Sequence, residues 1–112
     1  KNVYFVKGFF NDSLPHLAPH IDAIAVLRLD GDMYQSTVDV MYHLYDKVSV
    51  GGYVIVDDWV GFPAKDAMED FFACHKISPT IIDNDGPVHF KKTEQVQIQR
   101  WRYEKRRFKP TD

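Results

Sequence analysis

The hydrophobic pattern predicts strands and helices in alternation along the middle of the chain. Two apolar runs, at residues 24–29 and 53–56, each stop abruptly at acidic residues. Between them, residues 34–47 show helical periodicity, and Gly51-Gly52 breaks that pattern before the second run. Because a crossover of this length joins parallel strands, we predict a strand–helix–strand unit whose two strands end at the same edge of a sheet.

The segments before this unit are predicted from shorter signals. Residues 3–6 (VYFV) form an apolar run that predicts a buried strand, and residues 9–19 predict a loop or a short helix. The strand after them extends over residues 22–29, where a nearly continuous apolar run is typical of burial on both faces. Ser36 and Asp39 have the S-x-x-D spacing of a helix start.

A second helix and a hairpin are predicted after the unit. Residues 64–75 carry apolar side chains on one helical face. Residues 80–82 and 88–90 predict two short strands, and the intervening turn sequence 84–87 (NDGP) favours an antiparallel hairpin. Residues 95–103 are a candidate extra strand.

The acidic residues at the strand ends are Asp30 and Asp32 after the first run and Asp57 and Asp58 after the second. Each pair alone is typical of a turn, where Asp and Gly are common for conformational reasons. Together at one sheet edge, four carboxylates repel each other unless a cation or proton intervenes. Since Mg²⁺ prefers carboxylate oxygens and takes few protein ligands, one Asp from the first strand and two from the second would suit it. Asp32 would then be available for proton transfer.

The motifs LRLDGDMYQST and GGYVIVDDW resemble those of the macrocin O-methyltransferase (TylF-type) family of S-adenosylmethionine-dependent enzymes. The similarity continues through VKGFFNDSLP and IIDNDGPVHFKK and covers about residues 3–92. It implies an α/β fold: the C-terminal portion of a class I methyltransferase (Rossmann-like) sheet, with mostly parallel strands and a terminal antiparallel hairpin. It also implies Mg²⁺-dependent methylation of a hydroxyl on a sugar or natural-product acceptor.

The resemblance implies roles for individual residues. Asp30, Asp57 and Asp58 correspond to metal ligands, and Asp32 stands at the position of the proposed general base. Asp30, Gly8 and Phe9 are candidates for binding S-adenosylmethionine. Phe9 and the following Phe10 suit either the cofactor's adenosine or the core.

The family's glycine-rich cofactor loop has no counterpart here, because the glycines form no G-x-G-x-x-G motif. By the order of its elements, the chain starts near the third strand of the family's sheet. We therefore expect residues 1–92 to be the C-terminal part of a methyltransferase domain that is inactive alone. We expect residues 93–112 to be a basic tail. We expect the exposed sheet edge to lead to self-association, to a rearranged sheet, or to recruitment of another segment, for which residues 95–103 are a candidate.

Composition and charge indicate the number of domains and the cellular compartment to expect for this chain. Its 112 residues suit one small domain, and no apolar run approaches the ~20 residues that a membrane span needs. The start, KNVYF, resembles neither a signal peptide nor an initiator methionine, which suggests that the chain begins inside a larger domain. The single cysteine, Cys74, excludes an internal disulfide and predicts a reducing, cytoplasmic compartment. We expect its thiol to be inert and partly buried.

Several other functions compete with methyl transfer. Asp30-Gly31-Asp32 is also the D-x-D motif of metal-dependent glycosyltransferases, but that function leaves Asp57-Asp58 unused. A haloacid-dehalogenase phosphatase is rejected because its nucleophile position holds Arg28. A non-catalytic half-domain acting in assembly stays open. The tail after residue 90 carries eight Lys/Arg against three Asp/Glu and interleaves aromatics, yet no fold motif of a nucleic-acid binder accompanies it.

Overall fold

The computed structural model describes residues 2–31 and 33–99. Three α-helices, four strands and two 3₁₀ turns follow one another in this part of the chain. In order they are α1 (Phe10–Leu17), a 3₁₀ turn (Ala18–His20), β1 (Ile24–Leu29), α2 (Tyr34–Leu44), a 3₁₀ turn (Tyr45–Lys47), β2 (Val48–Val56), α3 (Pro63–His75), β3 (Ile82–Asp83) and β4 (Val88–Lys91).

The four described strands form one mixed sheet in the order β1-β2-β4-β3. β1 and β2 run parallel, as the helical crossover predicts. β3 and β4 form the predicted antiparallel hairpin, and β4 also pairs antiparallel with β2. The expectation of a mostly parallel sheet is therefore wrong for the described residues, because two of its three strand pairings are antiparallel.

The predicted strand at residues 3–6 is not formed. These residues have no regular secondary structure, and Phe5 is 94% exposed. No described strand pairs with them, and β1 lies at the edge of the described sheet. An apolar run thus indicates a tendency to be buried, but a strand also needs a neighbour that satisfies its backbone hydrogen bonds.

The predicted start of β2 is corrected. β2 begins at Val48, so Gly51 and Gly52 lie inside the strand and not before it. Pairing with β1 is irregular there: Val48 faces Ile24, whereas Tyr53 faces Val26. A Cβ at Gly52 would lie 2.8 Å from the carbonyl oxygen of Ala25, so the close approach of the two backbones requires glycine.

The C-terminal end of the described chain also differs from its prediction. Residues 95–99 form no strand, and the rest of the predicted strand at 95–103 lies outside the described residues. Val96 and Ile98 nevertheless pack against the core. This segment therefore contributes apolar contacts without joining the sheet.

The predicted S-x-x-D helix start is not used. α2 begins at Tyr34, after Met33 in an extended conformation, so Ser36 and Asp39 are already inside the helix. The Ser36 hydroxyl lies within hydrogen-bond distance of the Gly31 and Met33 carbonyl oxygens. Asp39 is buried and accepts a hydrogen bond from Gln35. Ser36 therefore bonds back to the turn that precedes α2, and Asp39 bonds within the helix.

The core lies between the helices and the central strands. Its innermost side chains share near-complete burial and come from α2, α3, β2 and β4: Val38, Met41, Val54, Met68, Phe71 and Phe90. Tyr34 also donates a hydrogen bond of 2.7 Å to Asp70, which joins α2 to α3. This packing holds β2, whose carboxyl end carries the acidic residues. Across residues 2–31 and 33–99, none of the helices combines the length and apolarity that membrane crossing requires.

Candidate metal and active site

The two parallel strands end side by side, and this brings their acidic residues together. Leu29 pairs with Val56 at the carboxyl ends of β1 and β2. The backbone N–H of Asp57 then donates to the carbonyl oxygen of Leu29 over 3.0 Å, which extends the ladder past the end of β2. Asp30 and Asp58 follow directly, so the backbone fixes the separation of the acidic residues.

Asp30, Asp57 and Asp58 form a cluster of three carboxylates, called here the acidic cluster. One oxygen atom from each lies within 4.8 Å of the others. Asp30 is exposed, and the other two are half-buried. A set of carboxylate oxygens that converge but retain access to solvent fits Mg²⁺, which binds few protein ligands and keeps several waters. Their role as metal ligands stays a prediction.

Arg28 also belongs to this site, although the sequence analysis did not assign it there. Its Nη2 atom donates to Oδ1 of Asp57 over 2.6 Å. The hydrogen bond and the charge of Asp57 raise the pKa of the guanidinium, with a smaller contribution from Asp30. The sequence signal for this contact is proximity: Arg28 stands two residues before Asp30, near the carboxyl end of β1.

The turn after β1 is tightly packed at Gly31. A Cβ there would lie 2.6 Å from the Ser36 hydroxyl oxygen and 3.3 Å from the ring of Phe10. A larger residue at this position of the D-G-D sequence would have to displace the Ser36 side chain and crowd the Phe10 ring. The predicted base, Asp32, lies outside the described residues, so its role also stays a prediction.

The structure does not place the candidate cofactor residues Gly8 and Phe9 in the acidic cluster. Gly8 has a φ of 135°, which favours glycine, and it lines an open groove together with His16 and His20. Phe9 precedes α1 and is 81% exposed. Of the two neighbouring phenylalanines, Phe10 is the one whose ring approaches the D-G-D turn. The contribution of Gly8 and Phe9 to cofactor binding stays a prediction.

Other side chains that are able to carry chemistry lie outside the acidic cluster. His43 and His75 each bond through Nδ1 to the carbonyl oxygen four residues earlier, as helical side chains do. Cys74 is half-buried, and burial raises the pKa of its thiol, which disfavours the reactive thiolate. The basic segment from residue 100 onward lies outside the described residues.

Comparison with known proteins places these features in a family. The family model described as macrocin-O-methyltransferase (TylF) matches residues 1–92, which include both acidic motifs. The chain belongs to this family. Membership agrees with the resemblance of the two acidic motifs.

Three curated relatives carry similar sequences. The demethyldecarbamoylnovobiocin O-methyltransferase of Streptomyces niveus is 50% identical over 96 residues, which span 83% of this chain and 36% of that protein. An 8-demethyl-8-(2,3-dimethoxy-alpha-L-rhamnosyl)-tetracenomycin-C 4'-O-methyltransferase of Streptomyces olivaceus is 43% identical, over 75% of this chain and 31% of that protein. The mycinamicin III 3''-O-methyltransferase of Micromonospora griseorubida is 40% identical, over 74% and 32%. The chain spans about a third of the length of these relatives.

Two solved structures share the fold. The O-methyltransferase NovP superimposes with a TM-score of 0.78 at 47% identity, covering 84% of this chain and 39% of that one. CalS11, a TDP-rhamnose 3'-O-methyltransferase in calicheamicin biosynthesis, gives a TM-score of 0.63 at 20% identity, over 77% and 40%. The second likeness concerns the fold alone. The described α/β unit therefore has the architecture of part of an O-methyltransferase.

Proposed function

We propose that this chain is part of an S-adenosylmethionine-dependent O-methyltransferase that uses Mg²⁺ and methylates a hydroxyl of a sugar or natural-product acceptor. The observation that carries the proposal is the acidic cluster, where oxygens of Asp30, Asp57 and Asp58 lie within 4.8 Å of one another. Family membership and the names of the relatives support the reaction class.

In this proposal, Asp30, Asp57 and Asp58 hold the metal ion. A bound Mg²⁺ would polarise the acceptor hydroxyl and lower its pKa. Asp32 would accept the hydroxyl proton as the methyl group passes from S-adenosylmethionine to the acceptor oxygen, and the sulfur of the cofactor would keep the bonding electrons. No covalent intermediate with the protein is needed.

The remaining assignments stay with the sequence predictions. Residues 1–92 are assigned to the C-terminal part of the methyltransferase domain, and residues 93–112 to a basic tail. We propose a cytoplasmic location, a small-molecule hydroxyl acceptor and self-association of the isolated chain. Nucleic acid and membrane partners are not proposed.

A glycosyltransferase that uses Asp30-Gly31-Asp32 is the main alternative. It does not account for Asp57 and Asp58, whose carboxylates join Asp30 in the acidic cluster. Family membership also favours methyl transfer. The non-catalytic half-domain differs from both in predicting no cofactor binding by any protein that contains this segment.

Labelled cofactors distinguish these functions. The test compares binding and transfer from S-adenosylmethionine and from a UDP-sugar, each with Mg²⁺ and with EDTA, for the 112-residue chain and for the longest natural protein that contains it. We expect Mg²⁺-dependent methyl transfer by the longer protein and none by the 112-residue chain. Sugar transfer by the longer protein, or micromolar S-adenosylmethionine binding by a monomer of the 112-residue chain, would contradict the respective assignments.

A further inference from the structure

The Arg28 side chain contacts Asp57, a member of the acidic cluster. In the ladder between β1 and β2, Arg28 pairs with Ile55, which stands two residues before Asp57. Asp30 follows Arg28 by two residues as well, so Arg28 stands just before the carboxyl ends of both strands, where the acidic cluster lies. The contact with Asp57 is close, at 2.6 Å, although the Arg28 side chain is 61% exposed and that of Asp57 only 23%.

Arg28 and a metal ion would both contact the Asp57 carboxylate. Oδ1 of Asp57 accepts the guanidinium proton, and Asp57 is also one of the three carboxylates proposed to hold Mg²⁺. Mg²⁺ binds oxygen at about 2.1 Å, so an ion on Asp57 would stand within a few ångströms of the guanidinium. Two cations at such a distance repel each other, and the repulsion opposes metal binding.

We infer that Arg28 is a counter-ion of Asp57 when no metal is bound and competes with the divalent cation for this carboxylate. This inference rests on the metal site of the proposed function. Arg28 supplies one positive charge that reduces the repulsion among three carboxylates. Because its side chain is largely exposed, the guanidinium can turn toward water when a divalent cation arrives. Arg28 is thus a positioning residue that lowers metal affinity without coordinating the metal.

The test measures metal affinity directly in the 112-residue chain. Mn²⁺ is the probe, since the electron paramagnetic resonance signal of the free ion reports binding without any enzymatic reaction. Arg28→Met keeps the aliphatic stem but removes the charge, and Arg28→Lys keeps the charge. Lys47→Met removes one positive charge just before β2, at the end of the strand opposite to the acidic cluster.

We expect Arg28→Met to bind Mn²⁺ about two- to tenfold more tightly than the natural chain, since exposed charge pairs have modest energies. Arg28→Lys and Lys47→Met should stay within about twofold of it. In EDTA, Arg28→Met should unfold at a lower temperature than the natural chain, and added Mn²⁺ should raise its unfolding temperature by more.

The outcomes separate the inference from the proposal beneath it. Unchanged or weaker Mn²⁺ binding by Arg28→Met overturns the inference while leaving the metal site intact. Equal tightening by Lys47→Met would also overturn it, because the effect would then come from net charge. If the natural chain and all variants fail to bind Mn²⁺ at millimolar concentration, the metal site itself is refuted and the inference with it. Circular dichroism of each variant shows that it is folded.

Discussion

The two ends of β2 differ in the sign and the burial of their charged side chains: a buried cation lies at one end, and exposed or half-buried anions lie at the other. At its beginning, the Lys92 side chain is buried, with 1% of the residue exposed, and its ammonium donates to the carbonyl oxygens of Tyr45 and Val48 and to the side chain of Gln95. These distances are 2.9, 2.7 and 2.8 Å, and the ammonium also lies 4.6 Å from the centre of the Tyr45 ring. At its other end, the carboxylates of the acidic cluster face one another close to solvent.

The buried cation has its hydrogen-bond partners within the protein, whereas the acidic cluster is the end to which the proposed function assigns chemistry. An ammonium has three protons to donate, and Lys92 uses them on three acceptors, so that cation is satisfied within the protein. Burial lowers the pKa of Lys92, whereas the nearby Asp46 opposes that change. In the acidic cluster, Arg28 contacts Asp57, and the three carboxylates remain exposed or half-buried. Carboxylates that lie close together and near solvent are accessible to a cation.

The largest effect is expected from the proposed base. In an active methyltransferase that contains this segment, Asp32→Asn should lower turnover by about 10²–10⁴-fold, the usual contribution of a positioned base. Metal affinity should change little, because Asp32 is assigned a role beside the metal ligands and not among them. Single-turnover kinetics at saturating Mg²⁺ would measure this. A variant that loses metal and retains turnover at saturating Mg²⁺ would show that base and ligand have been exchanged.

A second prediction concerns the cluster itself. Asp57→Asn should weaken Mn²⁺ binding to the 112-residue chain by at least about tenfold, since it removes a charged oxygen donor from the proposed site. Titration calorimetry or electron paramagnetic resonance measures the change. Asp46→Asn is the matched control, because it removes the same charge next to Val48, at the opposite end of β2. Equal weakening by both variants would mean that the ion responds to net charge and not to a site.

A third prediction tests the structural end. Lys92→Met should lower the free energy of unfolding by about 1–3 kcal/mol, because the carbonyl oxygens of Tyr45 and Val48 lose a buried donor. Lys91→Met is the control, since this neighbouring lysine is exposed. Urea denaturation followed by circular dichroism gives both values. If the two variants are equally stable, Lys92 does not have the structural role assigned to it.

The sequence predicted the acidic cluster but not its counter-ion. Asp30 and Asp57 converge because two apolar runs and a helical crossover require parallel strands, and each run ends at its acidic residue. The contact of Arg28 with Asp57 depends on the rotamer of a long exposed side chain, which strand periodicity limits to a face but does not fix. Residues 3–6 form no strand, because no described strand pairs with them. An apolar run by itself does not show whether a pairing strand is present.

Gly51 and Gly52 are a second case in which the sequence pattern alone does not predict the local structure. Gly51 and Gly52 were predicted to precede β2, because glycine is common in turns. The structure uses them inside the strand, where Gly52 lies against the backbone of Ala25. A close approach between strands is a property of the pair, and it becomes visible only when both strands are placed. Lys92 is similar: an adjacent pair of lysines gives no sign that one is buried and the other exposed.

The smallest expected effect comes from His75. Its hydrogen bonds go to the backbones of Phe71 and Gln99 and not to either end of β2. Its Nε2 accepts a hydrogen bond of 2.9 Å from the backbone N–H of Gln99, so that nitrogen carries no proton in the folded chain. Burial lowers the pKa of His75, and its bond to the Phe71 carbonyl oxygen partly opposes this. The unfolded chain then binds more protons, so the stability contributed by neutral His75 is complete above about pH 6.5 and is lost as the pH falls below it.

We therefore expect the natural chain to lose more unfolding free energy between pH 8 and pH 5.5 than His75→Gln, by less than about 1 kcal/mol. Thermal unfolding at a series of pH values measures the difference. His43→Gln serves as the control, because His43 makes the same type of bond to a carbonyl oxygen four residues earlier. An identical pH dependence in the natural chain and His75→Gln would contradict the assignment.

The backbone bond from Asp57 to Leu29 has a consequence for how the chain should be handled. Asp30 and Asp57 are separated in sequence by the whole of α2 and β2, and only the pairing of β1 with β2 brings their carboxylates together. An ion that requires all three carboxylates therefore binds the folded chain and not the unfolded one. At a free concentration of one hundred times its dissociation constant, such an ion would raise the free energy of unfolding by about 2.7 kcal/mol. Divalent ions and chelators in a purification buffer would thus alter the fraction of chain that stays folded.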